Sequence, residues 1–161
     1  SKFPQSKAAE KCTVLKQQIE QQSLQITTED FLPIQQDSRL LIGYKNISEL
    51  HFKVFKLNQK DLKKFSTTNN KVEQLAFIKA LNNPIEWTIT LKNEQDFQTH
   101  TTEVLVPKLD NGRYLIFASP EKEKEQTFAF STVQVTNLAL VEKNNLTNHI
   151  FQIIDRTNGS P

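Results

Sequence analysis

Glycine and cysteine are scarce in this chain of 161 residues. Its three glycines, Gly43, Gly112 and Gly159, stand alone, and neither G-x-G-x-x-G nor G-x-x-x-x-G-K-[ST] occurs. The sequence therefore predicts no phosphate-binding loop. The single cysteine, Cys12, excludes an internal disulfide framework and a cysteine-rich zinc module.

A strong net charge and a long apolar run are missing too. The 20 Lys and Arg side chains nearly balance 18 Asp and Glu, and the net charge of +2 gives no electrostatic reason to expect a nucleic acid or an anionic membrane as partner. No apolar run approaches the roughly 18 residues of a membrane-spanning helix. With 37% hydrophobic residues, the chain has enough apolar material for one folded domain.

Groups that could perform acid–base or nucleophilic chemistry are few and dispersed. His51, His100 and His149 lie far apart in the sequence, and none belongs to an H-E-x-x-H motif. Cys12 lies in a helical stretch without a base held by a third group, so we interpret it as a buried helix residue. We predict no catalytic, cofactor-binding or metal-ligating residue and no enzymatic activity; an enzyme that uses Cys12 or the histidines is an alternative hypothesis.

Residues 1–22 have the apolar spacing of one helix. Ser6 is a suitable N-cap, and apolar side chains then recur every three or four residues, at Ala8, Cys12, Leu15 and Ile19. A single helix of about 16 residues cannot bury such a stripe alone. We expect it to dock on the following domain or on a segment that precedes the chain.

From Ser23 onward the apolar period changes to two residues, which is typical of β-strands. About nine strands are predicted, at 24–27, 39–44, 50–57, 85–91, 97–106, 114–118, 127–136, 137–141 and 149–154. The continuous apolar run at 39–44 predicts a strand covered on both faces, and 45–49 has the length of a hairpin turn. Asn111-Gly112 predicts a tight turn before the next strand.

A helical insertion is predicted between the strands, at 58–83. Its apolar residues Val72, Leu75, Ile78 and Leu81 fall on one side of a helix, and Asn-rich segments lie before and after it. The strands are not separated by repeated crossover helices, which favours an all-β antiparallel β-sandwich. Trp87 and most of the eleven Phe residues are then expected to fill the space between the sheets.

Three stretches together resemble a known family. Residues 41–55 resemble a strand pair in the N-terminal part of bacterial alpha-2-macroglobulin family proteins. Residues 109–116 resemble a strand near the end of macroglobulin-like domains, and 135–140 with 153–161 resemble the entry into the next such domain. The segment around Phe3-Pro4-Gln5 resembles the one that precedes these domains in Bacteroidetes-type members. The resemblance rests on the order and spacing of the stretches and extends over most of the chain.

The resemblance implies a macroglobulin-like sandwich of about seven strands at 23–136, preceded by the helical segment 1–22. It implies that 137–161 are the first strands of a following domain or extra strands on the same sandwich. The whole protein would be a large protease inhibitor, periplasmic or on the cell surface and lipid-anchored, that encloses its target protease. Neighbouring domains and target proteases are the implied partners, with no cofactor, nucleic acid or inserted membrane.

One departure limits what this chain itself can do within such an inhibitor. The family's thioester needs Cys-x-x-Gln, whereas Cys12 is followed by Thr13-Val14-Leu15, and no bait-like region is evident. The resemblance therefore implies a non-catalytic scaffold domain that contacts its neighbours through the helix and the last strands. We also expect the chain to be part of a longer protein, because a turn sequence at 155–161 follows a strong strand and no secretory signal is present.

The alternative hypothesis is a carbohydrate-binding, ligand-binding or adhesin sandwich. Such a module needs an exposed aromatic platform, for which Trp87, Phe97 and Tyr114 are the candidates. Burial of Trp87 and Tyr114 would remove the platform. The N-x-[ST] sequons at Asn46, Asn145 and Asn158 are interpreted as chance occurrences in an Asn-rich chain.

Overall fold

The computed structural model of the protein describes residues 6–121, 126–144 and 148–161. Within these ranges three helices and ten strands follow one another in this order: α1 (Lys7–Glu20), β1 (Ser23–Thr27), β2 (Phe31–Leu32), β3 (Ser38–Lys45), β4 (Glu49–Leu57), α2 (Gln59–Phe65), α3 (Lys71–Lys79), β5 (Ile85–Thr90), β6 (His100–Val106), β7 (Gly112–Ser119), β8 (Ala129–Val135), β9 (Leu138–Asn144) and β10 (His149–Asp155).

The strands form two facing sheets and a separate hairpin. One sheet has three strands in the order β1-β3-β6, the other has five in the order β2-β8-β7-β4-β5, and β9 pairs only with β10 among the described strands. All pairs are antiparallel except the short parallel pair of β2 and β8. The prediction of an all-β sandwich with an N-terminal helix and a helical insertion is confirmed.

The core between the two sheets follows the strand alternation. Leu40, Ile42 and Tyr44 of β3 face Leu50, Phe52 and Val54 of β4, and every one of them is buried. Burial of this apolar surface is the main stabilising term of the fold. The hydroxyl groups of the two buried tyrosines have hydrogen-bond partners. Tyr44 donates to the Lys92 carbonyl at 2.8 Å, and Tyr114 donates to the Asp110 carbonyl at 3.0 Å.

A second apolar cluster covers the outer face of the five-stranded sheet. The helices α2 and α3 lie there, and the cluster consists of Phe55, Leu57, Phe77, Ile78, Leu115 and Phe117. Phe52 therefore belongs to the inter-sheet core, whereas three other buried Phe residues belong to this outer cluster. The expectation that most Phe residues fill the space between the sheets is wrong, because the helical insertion provides its own core.

Two local expectations are also wrong, and a third is largely confirmed. The link at 45–49 is no hairpin, because β3 and β4 belong to different sheets. Strand β3 is covered on one face only, and Leu41 on its other face is 43% exposed. The predicted helix stripe is largely confirmed, because Leu75, Ile78 and Leu81 lie in or pack against the outer cluster, whereas Val72 is 79% exposed.

Where a tight turn is predicted, at Asn111-Gly112, the chain only bends at Asn111, and Gly112 is the first residue of β7, with a φ of +156°. A Cβ at this position would lie 2.7 Å from Cε of Lys56. The glycine is thus required by its backbone conformation, which other residues rarely adopt. Strand β7 then returns to β4 with Arg113 opposite Leu57.

Candidate functional site

The three histidines lie on three different strands, each with its own local partner. His51 Nε2 lies 3.1 Å from Glu49 Oε1, His100 Nε2 lies 2.9 Å from Asp96 Oδ1, and His149 Nδ1 lies 2.7 Å from Asn144 Oδ1. The pKa of the Asp96 carboxyl lies below its ordinary value, first because the Gln98 backbone N–H donates to it and then because of His100. Across the described ranges, no group of three or more His, Cys, Asp and Glu residues is arranged to hold a metal ion.

Cys12 is exposed on α1, so the prediction of a buried core cysteine is wrong. Among its described residues α1 buries none, and Val14 and Leu15 are more than half exposed. The apolar stripe of α1 was identified correctly, but the sandwich does not cover it.

The three aromatic residues suggested for a ligand platform have different environments. Tyr114 is buried in the inter-sheet core. Trp87 is half-buried and stacks on Phe52 with ring centroids 4.7 Å apart. Phe97 is 45% exposed and has a φ of 60°. Tyr114 is therefore unavailable to a ligand, and Phe97 is the one of the three that solvent reaches freely.

The C-terminal end of α1 is held by Asn46, which lies in the link between the two sheets. Its side-chain amide donates to the backbone carbonyls of Ile19 at 2.8 Å and Gln21 at 3.2 Å. Its backbone carbonyl accepts a hydrogen bond from the side-chain amide of Gln22 at 3.3 Å. These bonds satisfy carbonyls that the end of a helix leaves free. Asn46 has a φ of 56°, a conformation that Asn tolerates better than most residues. The helix is thus attached at one end and exposed along its length.

Asn46→Ala is expected to detach α1. The change removes two hydrogen bonds and places alanine in a left-handed conformation, a combined cost of about 1–3 kcal/mol. Hydrogen exchange of the α1 amides should accelerate while the strand amides stay protected. Asn46→Gly is the matched control, because it removes the same bonds without the backbone strain and should show a smaller effect. Unchanged exchange in both variants would contradict the assigned role of Asn46.

The β9–β10 hairpin carries the most exposed apolar surface of the described chain. One face presents Leu138, Leu140, Phe151 and Ile153, and the other presents Val141 and Ile150, all at least 43% exposed. A two-stranded hairpin with nothing on either face is marginally stable in water. Successive side chains of a strand point to opposite faces. A continuous apolar run, as in Leu138-Ala139-Leu140-Val141, is therefore typical of a strand covered on both faces.

The base of the hairpin is fixed to the β2 side of the sandwich. Asn137 Oδ1 accepts from the Ile34 backbone N–H at 3.0 Å, and the Arg156 backbone N–H donates to the Asn137 carbonyl at 2.6 Å. A cleft of about 930 Å³ lies beside this base, lined by the Arg39–Glu103 ion pair and by Arg156. These strands are the contact elements expected from the sequence, whereas nothing in the sequence indicates Asn137 as their anchor.

No described helix is long and apolar enough to cross a membrane. The exposed apolar side chains define the candidate site as a set of surfaces: the stripe of α1 and the two faces of the β9–β10 hairpin. Large exposed apolar patches on folded proteins are typical of protein, membrane or ligand contacts.

Comparison of the sequence with protein-family models finds no match, and comparison with curated proteins finds none either. The fold, in contrast, is similar to solved structures. A crystal structure of native alpha-2-macroglobulin from Escherichia coli spanning domains MG0-NIE-MG1 matches over 86% of this chain and 47% of that one, with a TM-score of 0.58 and 12% identity.

Two further structures are similar. The Escherichia coli alpha-2-macroglobulin structure spanning domains NIE-MG1 matches over 87% of this chain and 72% of that one, with a TM-score of 0.51 and 11% identity. The CARDB domain of a Pyrococcus furiosus protein matches over 72% of this chain and 88% of that one, with a TM-score of 0.38 and 13% identity. The chain spans about half the length of the first of these structures. Its β-sandwich has the fold of alpha-2-macroglobulin domains.

Proposed function

We propose that this chain is a non-catalytic scaffold domain of a larger alpha-2-macroglobulin-like protease inhibitor. The observation that carries the proposal is the fold similarity to Escherichia coli alpha-2-macroglobulin domains over 86% of the chain. The order of the three sequence stretches that resemble this family is a second support. They lie on β3 and β4, at the start of β7, and on the β8–β9 connection together with the end of β10.

In this role the exposed apolar surfaces contact neighbouring domains. A multidomain inhibitor must hold its sandwiches in a defined arrangement, and each contact needs apolar area to bury. The α1 stripe and the β9–β10 hairpin provide such area, and each is held to the sandwich by directed hydrogen bonds at one end, at Asn46 and Asn137. The hairpin is proposed to contact a following domain.

The cellular setting is part of the same proposal. The resemblance to Bacteroidetes-type members of the family favours a periplasmic or cell-surface, lipid-anchored inhibitor. Cell fractionation with an antibody to this chain should recover it outside the cytoplasm, and recovery in the cytoplasmic fraction would contradict this setting.

The inhibitory role is tested with the longer gene product that carries this chain. After it is mixed with a broad-specificity protease, cleavage of a large protein substrate should fall while hydrolysis of a small peptide substrate continues. An enclosed protease excludes large substrates but admits small ones. The 161-residue chain alone is the matched control and should change neither rate. Equal cleavage of the large substrate with and without the full-length protein would overturn the proposal.

A further inference from the structure

A groove of about 730 Å³ lies between α2 and the edge strand β2, on the outer face of the five-stranded sheet. Its floor contains a row of three side chains, because Arg113 on β7 is opposite Gln134 on β8, which is opposite Phe31 on β2. Arg113 faces outward like Leu115, two residues further along β7, which belongs to the outer cluster. Phe31 faces outward because its neighbour Leu32 is part of the inter-sheet core.

This α2 groove has apolar side chains on both walls. On the β2 side, Phe31 is 51% exposed. On the helix side, Leu62 and Phe65 line the groove while they pack against the outer cluster. The Phe65 ring is fixed edge-on to Phe130, with centroids 5.4 Å apart. An apolar side chain placed between the walls would cover the exposed surface of Phe31, which is favourable in proportion to the apolar area removed from water.

The α2 groove also holds two cations that lack an anionic partner. Lys63 lines it from α2 and Arg113 from the floor, and neither forms an ion pair with any residue in the described part of the chain. Asp30 is the single carboxylate among the described lining residues. The lining therefore has a surplus of positive charge that an anionic ligand can neutralise.

The positive charge of the chain is concentrated around this groove. The segment from Lys53 to Lys79 contains α2 and α3, and it has seven lysines but only two acidic residues, Asp61 and Glu73. The net charge of the whole chain is only +2, so the remaining residues are negative on balance. A local concentration of one sign of charge attracts partners of the opposite sign and accelerates their association. The partner that fits this face is anionic.

We propose that the α2 groove binds a peptide segment of a protein partner in which carboxylates stand beside a large apolar side chain. The carboxylates pair with Lys63 and Arg113, and a planar guanidinium binds a carboxylate through two parallel hydrogen bonds. The apolar side chain lies between Phe31 and Phe65. The volume of the groove falls within the roughly 300–1,000 Å³ that is typical of ligand sites.

The shape of the groove favours a peptide over an anionic membrane. Apolar side chains that enter a bilayer stand out from a protein surface, whereas Leu62 and Phe65 are half-buried in the wall of a cleft. A peptide can lower its side chains into the cleft, and its backbone can form hydrogen bonds with Thr132 and Gln134 on the floor. This surface is separate from the α1 stripe and the β9–β10 hairpin, so the inference goes beyond the proposed contacts with neighbouring domains.

Fluorescence anisotropy of a labelled peptide tests the chemistry of the ligand. The probe is a hexapeptide that alternates glutamate with phenylalanine, and it is added to the full 161-residue chain. Two matched peptides replace every glutamate with glutamine or every phenylalanine with serine. The probe should bind, each matched peptide should bind at least about tenfold more weakly, and salt should weaken the binding of the probe. A chain that binds the glutamine peptide as well as the probe, or binds neither, would overturn the proposal.

Single substitutions test the site itself. Arg113→Gln and Lys63→Gln each remove one positive charge from the groove, Phe31→Ala removes its apolar wall, and each should weaken the binding of the probe by about fivefold or more. Lys71→Gln is the matched control, because Lys71 is an exposed lysine of the same basic segment that lies outside the groove. It should change the affinity by less than about twofold. If Lys71→Gln and Arg113→Gln weakened binding equally, diffuse charge rather than the groove would hold the peptide, and the assignment would be wrong.

Spectral mapping on the unmodified chain keeps the test valid if a variant fails to fold. The probe should shift the backbone amide NMR signals of α2, Thr132 and Gln134 and leave those of the β9–β10 hairpin unchanged. Shifts confined to the hairpin or to α1 would contradict the assignment.

Vesicles of phosphatidylglycerol separate the peptide partner from a membrane. A chain that sediments with these vesicles but does not bind the probe would identify the basic face as a membrane-binding surface and overturn the proposal. None of these measurements involves protease inhibition, so failure here and failure of the proposed inhibitory role are distinguishable.

Discussion

Phe52→Ala is expected to lower the free energy of unfolding by about 3–5 kcal/mol. Phe52 is 1% exposed at the centre of the inter-sheet core, and its ring stacks on Trp87. Truncation removes buried apolar area and leaves a cavity, because the two paired sheets restrict how far the neighbours can collapse. A loss of this size lowers the melting temperature by roughly 6–20 °C for a domain of this length.

Urea unfolding followed by Trp87 emission measures this loss directly. Phe31→Ala is the control, because Phe31 is 51% exposed on β2 and its truncation should change stability by less than about 1 kcal/mol. If the two variants unfolded at the same urea concentration, the assignment of Phe52 to a packed inter-sheet core would be incorrect.

The central position of Phe52 was predictable, because the alternation of Leu50, Phe52 and Val54 specifies one buried face. The pattern does not specify which strand lies opposite or beside that face. Residues 45–49 are short enough for a hairpin, yet they carry the chain from one sheet to the other. A link of five residues can form a hairpin within one sheet or cross to the facing sheet, and only the packing of the whole sandwich selects between these two connections.

The sequence predicts that the helix α1 forms, but it does not predict whether its apolar side is covered. The spacing of Leu15 and Ile19 correctly predicts a helix, and the cap at Ser6 forms as expected, with its hydroxyl accepting from the Ala9 N–H at 3.2 Å. Whether a stripe is covered depends on a partner surface that the spacing does not encode. Cys12 shows this most clearly. Its burial was predicted because free cysteines are usually buried, and no residue that would cover it was identified.

The same limit applies to the candidate interaction surfaces. Apolar residues at successive positions of β9 are typical of a strand with two covered faces, whereas the described structure leaves both faces exposed. The α2 groove has no sequence signature, because Phe31 and Arg113 are brought together only by the strand order β2-β8-β7. Trp87 was expected to lie between the sheets, and it does so only in part because the smaller sheet ends before β5.

Phe117→Ala is expected to destabilise the protein by a similar amount, about 3–5 kcal/mol, but from the other side of the five-stranded sheet. Phe117 is 1% exposed in the outer cluster, pairs with Phe130 across β7 and β8, and stacks on Phe128 with centroids 5.8 Å apart. The α2–α3 insertion depends on this cluster, since a helix as short as α3, with nine residues, is not stable without tertiary packing.

Hydrogen exchange distinguishes this loss from the one caused by Phe52→Ala. In Phe117→Ala the α3 amides should lose protection before those of β3 and β6, because local opening of the insertion exposes few strand residues. In Phe52→Ala the strands and α3 should lose protection together, since the insertion cannot remain packed on an unfolded sheet. Equal loss of protection in both variants would mean that the outer cluster and the inter-sheet core unfold as one cooperative unit, contrary to their separate packing on opposite faces of one sheet.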